Sequence, residues 1–161
     1  MNPEPAELLT PLPDRLRLGT RDLHAQTERT GAMVDLLAGR LSRAGYCAML
    51  RNLHAIYAAL EAALEAAMQR QPADAAVLRL HAGPLRREAA LAADLAALHG
   101  PLWRTELPLQ PAAQAYARRL QALSLAQSPA QSLAHSLALV AHVYVRYLGR
   151  SEEHTSELQS R

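Results

Sequence analysis

Long stretches of this chain are built from little more than Ala, Leu, Glu and Arg, as in LHAIYAALEAALEAAMQR at 53–70, and that leaves it few folds. Ala and unbranched side chains lose little rotamer freedom in a helix. A pleated surface is normally filled by β-branched and aromatic residues. Here Phe is absent and aromatics make up 4 % of the chain. The expectation is an all-α protein, and 161 residues suit a single domain with a real core.

Proline and glycine then divide the chain. Residues 1–12 carry Pro3, Pro5 and Pro11 and read as a flexible lead-in; Pro13 suits the first turn of a helix running to about Arg29. Gly31 and Gly39 bracket a short helical turn. Ser42 reads as the N-cap of the longest helix, which ends before Pro72. ADAAVLRLHAG predicts a short helix closed by Gly83, and PLRREAALAADLAALHG predicts another, with Pro84 at its start and Gly100 just past its end. PLWRTELPLQP, with three prolines, reads as a connector. A helix from about Pro111 to Leu123 follows, and the capping box SPAQ at 128–131 opens a last helix to Leu148. With no strand pattern and no internal repeat, the architecture is a single irregular helical bundle.

Charge and composition exclude several function classes. A formal net charge of +2, with no basic run interleaved with aromatics, argues against a nucleic-acid binder. No apolar run approaches the ~18 residues of a membrane span, and no secretory signal pattern opens the chain. Cys47, the single cysteine, has no internal disulfide partner. These features fit a cytoplasmic protein.

The chemistry concentrates in TRDLHAQTE at 20–28. At helical spacing Arg17, Arg21, His24 and Glu28 fall within about 60° of one another, because their separations are 4, 3 and 4. Beside this stripe lies a second, of Leu16, Thr20, Leu23, Thr27 and Val34, which reads as the core face. An imidazole next to two guanidiniums suits a flat, apolar, dianionic ligand with a Lewis-acidic centre, and heme fits that description. The same stripe also suits an ordinary solvated helix face.

Four segments resemble the biliverdin-producing heme oxygenases. LRLGTRDLHAQTE is similar to that family's proximal helix, LSRAGYCAMLRNLHAIYAALEAAL to its second long helix, REAALAADLAALHGPLW to the segment after it, and LVAHVYVRYLG to the opening of the distal helix. They come in the family's order and span roughly residues 14–149. The resemblance implies His24 as axial ligand of the heme iron, Glu28 as the partner of its ring, and Arg17 and Arg21 as contacts of the propionates. It places Tyr57, Tyr116 and Arg146 near a distal hydrogen-bond network, Tyr144 near the heme edge, and Gly149 where a missing side chain lets the backbone approach the porphyrin. Met33 joins the heme contacts; for Met33, Tyr57 and Tyr116 core packing is the plain alternative. His54, His81, His99, His135 and His142 match no ligand position. The implied activity is O2-dependent cleavage of heme to biliverdin, CO and iron, with heme as substrate and cofactor. Ferredoxin or an NAD(P)H-dependent reductase is the implied electron donor.

After Gly149 the resemblance stops. RSEEHTSELQSR at 150–161 resembles the translation of a common short-read sequencing adapter. The expected organisation is therefore a lead-in at 1–12, an incomplete heme oxygenase-like helical domain at 13–149 lacking its C-terminal helices, and an artefactual tail at 150–161. Arg150 stands where the family carries a carboxylate, so the expectation is weak heme binding and poor turnover. Two other classes compete with the enzyme: a heme carrier of the same fold, and a phosphotransfer module in which His24 accepts a phosphoryl group.

Overall fold

The computed structural model describes residues 12–29, 31–70, 85–125, 129–143 and 145–146. Among them are seven helices and no strand, as composition demanded. The chain divides into two compact units, Met1–Tyr46 and Cys47–Arg161.

The first unit holds α1 (Leu12–Glu28) and α2 (Gly31–Leu37). Pro13 and Asp14 occupy the first turn of α1, where a missing N–H costs nothing and a negative charge meets the positive end of the helix dipole. Gly31 and Gly39 both adopt positive φ, 55° and 66°, which sets the ends of α2. One part of the sequence reading holds only in part here. Of the stripe expected to face a core, Leu23 is 63 % exposed, Thr20 and Val34 are half-buried, and the side chains of Leu16 and Thr27 lie outside the described set. None of the described residues of α1 or α2 is buried, since a seven-residue helix is too short to cover the apolar stripe of a seventeen-residue one.

The longest helix, α3 (Arg43–Arg70), starts where expected: the Ser42 hydroxyl accepts the Gly45 amide at 3.1 Å. At 1.5 Å per residue it is ~42 Å long and forms the backbone of the second unit. The other helices are α4 (Glu88–Leu98), α5 (Trp103–Glu106), α6 (Pro111–Leu123) and α7 (Pro129–Val143). The core joins Ile56, Leu60, Ala63, Leu64 and Ala67 of α3 to Ala113, Ala117 and Leu120 of α6 and Leu139 and Val143 of α7. These positions recur every three or four residues, and the alanines let the helices approach closely.

Two elements depart from the sequence reading. Leu85 to Arg87 are not helical, and α4 begins at Glu88 rather than at Pro84. Glu61 of α3 decides this, its Oε1 accepting the amides of Arg87 (2.7 Å) and Glu88 (3.0 Å) and supplying the anion that a helix start favours. The proline-rich connector holds a full helical turn, α5, and its Trp103 is 2 % exposed. Beyond Val143 of α7, Val145 and Arg146 take a wider π-helical turn, and Leu148, the expected end of that helix, lies outside the described residues. The helix expected over 73–83, the Ser128 of the capping box and the tail at 150–161 lie outside the described residues.

Candidate functional site

Residues 17, 21, 24 and 28 all lie within the unbroken α1, so its backbone carries them on one face. The side chains of Arg17, His24 and Glu28 are outside the described set. That of Arg21 is 77 % exposed and only loosely paired with Asp22, at 3.7 Å, a contact worth little in water. An open concavity of about 770 Å3 is lined by Arg21, Asp22, Leu23, Ala25, Gln26 and Arg29, which bracket position 24 along the chain. Its wall combines two guanidiniums and the Asp22 carboxylate with an exposed leucine, so cations outnumber anions there by one beside an apolar surface. Met33, on α2, is half-buried.

In the second unit Tyr57, Tyr116 and Arg146, which the resemblance assigns together to one network, meet at Arg146. The Tyr57 hydroxyl donates to the Arg146 carbonyl at 3.0 Å, across 89 residues of sequence. The Arg146 guanidinium lies over the Tyr116 ring, 4.9 Å from its centroid. Its Nε is buried without a hydrogen-bond partner among the described residues, which marks a place where a water or a ligand group is needed. Tyr144 and Gly149 lie outside the described residues.

A fourth member of this cluster escaped the sequence reading. The Tyr116 hydroxyl and His142 Nδ1 share a hydrogen bond of 2.7 Å. Burial, and then the charges of Arg119 and Arg146, push the His142 pKa below the usual histidine value and keep the ring neutral. A signal was present in the sequence, where His142 and Arg146 stand at the four-residue spacing of neighbours on a helix face.

A sequence model of the heme oxygenase family matches residues 10–150. The chain belongs to that family. It is 33 % identical over 147 residues to heme oxygenase 1 of Homo sapiens, covering 91 % of this chain and 47 % of the human protein. It is 30 % identical over 138 residues to heme oxygenase 1 of Nostoc sp., covering 86 % and 53 %. The heme oxygenase-2 of Synechocystis sp. PCC 6803, solved in complex with heme and NO, superposes with a TM-score of 0.68 at 35 % identity, over 87 % of this chain and 52 % of that one. This heme oxygenase-family chain thus spans about half the length of the curated relatives it matches. Among its described residues no helix is long and apolar enough to cross a membrane.

Proposed function

We propose that this chain binds heme and serves its O2-dependent cleavage to biliverdin, CO and iron. The observation that carries the proposal is α1: one face bearing Arg17, Arg21, His24 and Glu28, and along the same helix a concavity lined by Arg21, Arg29, Asp22 and an exposed leucine. Bound heme supplies the iron at which O2 reacts and the porphyrin that is opened.

The chain's residues position and insulate that chemistry. In this reading the His24 imidazole would hold the heme iron, and Glu28, four residues on, would accept from its other ring nitrogen and set its tautomer. Arg17 and Arg21 hold the propionates by charge-assisted hydrogen bonds. Met33 and Tyr144 would contact the porphyrin, and Gly149 would give it room. Tyr57, Tyr116 and Arg146, with His142 hydrogen-bonded to Tyr116, would order the water that the reaction uses. Ferredoxin or an NAD(P)H-dependent reductase supplies the electrons, which suits a cytoplasmic setting.

Titrating the chain with hemin tests the reading. A Soret band that His24→Ala shifts or removes is expected, followed by biliverdin absorbance when ascorbate or a reductase is added under O2. No Soret change overturns heme binding. A Soret band dependent on His24 but never followed by biliverdin overturns the enzymatic part and leaves a heme carrier.

A further inference from the structure

The chemistry at the joint of α3, α4 and α5 is not used by the heme site. His54, in the middle of α3, is 7 % exposed. Its Nε2 lies 2.9 Å from Glu88 Oε1 at the start of α4, and its ring meets Trp103 of α5 edge-on, centroids 4.7 Å apart. A carboxylate only accepts hydrogen bonds, so Nε2 carries the proton and, in the neutral ring, Nδ1 is bare. Nδ1 is buried and has no partner among the described residues. The charged groups facing the ring are Arg51 from its own helix, Glu88 from α4 and Arg104 from α5. Arg51 and Arg104 both lie over Trp103, at 5.4 and 4.2 Å from its ring, and Arg104 reaches Glu88 only at 4.0 Å.

We propose that His54 is a proton-operated latch that holds α4 and α5 on α3 when neutral and releases them when protonated. Protonation adds an N–H at Nδ1 that has no hydrogen-bond partner among the described residues, in a space already holding two guanidiniums and one carboxylate. The net local charge then rises to two positives, and the group that can relieve it is water, which enters only if α4 and Trp103 move away from α3. Burial outweighs the pull of Glu88 and sets the ring's pKa below the usual 6.5, so the latch stays shut at neutral pH and opens on mild acidification. Glu61 still grips the first amides of α4, so opening is a hinge at the start of that helix rather than its unfolding.

Trp103 is the single tryptophan and reports directly on its neighbour, because imidazolium quenches indole emission more strongly than imidazole. The heme-free chain is titrated between about pH 8 and pH 5, above the carboxylate range, with emission, far-UV ellipticity and amide exchange followed together. Emission is expected to fall in one single-proton step centred below 6.5, with ellipticity held. Amide exchange across α4, corrected for its intrinsic pH dependence, quickens by up to about tenfold per pH unit as pH falls from 6.5 toward the midpoint, and levels off below it. His54→Phe abolishes the step while keeping a ring against Trp103. Glu88→Gln keeps an acceptor but removes the charge that favours protonated His54, so its midpoint moves to lower pH. Flat emission in the unaltered chain, a step that survives His54→Phe, or a midpoint that Glu88→Gln leaves in place or raises overturns the proposal.

Discussion

Tyr116→Phe is the cleanest probe of the Tyr57–Arg146 cluster, because it removes one oxygen and leaves the ring. The Arg146 guanidinium, 4.9 Å from the ring centroid, keeps its cation–π contact with Phe, so that energy cancels. What is lost is the 2.7 Å hydrogen bond to His142. Both partners are half-buried, and water can replace part of the bond. The expected loss is therefore about 1 kcal/mol, in the middle of the range for a neutral hydrogen bond. Urea denaturation at pH 8, followed by Trp103 emission and far-UV ellipticity, measures it. The decisive quantity is the coupling in a double-mutant cycle with His142→Ala, also about 1 kcal/mol if the bond is real. The pH dependence adds an independent check. Folding depresses the His142 pKa, through burial first and Arg119 and Arg146 second, so the unfolded chain takes up the proton before the folded one does. Stability thus falls as pH drops below 6.5, by at most about 1.4 kcal/mol per unit from this residue, and His142→Ala removes that share of the slope. Additivity of the two substitutions within about 0.3–0.5 kcal/mol, with an unchanged slope, would refute the pairing.

Glu61→Ala strips two amides of α4 of their acceptor and should cost about 2 kcal/mol or more, whereas Glu61→Gln, which loses only the charge at the helix start, should cost about 0.5–1 kcal/mol; equal losses in urea titrations would contradict the capping role. Leu120→Ala opens a cavity at a position with 0 % exposure and should cost about 2–5 kcal/mol by the same measurement. A side chain at Gly100 would meet nothing within 4 Å, yet its φ of +111° strains any L residue, so Gly100→Ala should lower stability by about 1 kcal/mol or more. Gly19, inside α1 with equally open surroundings and an ordinary φ, gives the opposite result: Gly19→Ala should raise the helicity and stability of the first unit by about 0.5–1 kcal/mol, read from thermal melts in circular dichroism.

Much of this protein is written locally. Ser42 caps α3, Pro111 opens α6, Gly31, Gly39 and Gly100 take positive φ, and Arg17, Arg21, His24 and Glu28 share a face, all because capping, φ preference and the 3.6-residue period involve residues a few positions apart. The rest was settled by groups far away in sequence. α4 begins at Glu88 because an acceptor from residue 61 waits there, and Trp103, inside a proline-rich connector, is buried where it meets His54. His142 and Tyr116 find each other across 26 residues, Tyr57 and Arg146 across 89. Leu23, which by periodicity belongs in a core, is 63 % exposed in a unit whose other helix has seven residues. A helical period tells which residues share a face, but which face is covered, and by what, depends on how helices pack. Packing energy comes from pairs whose separation along the chain leaves no periodic trace.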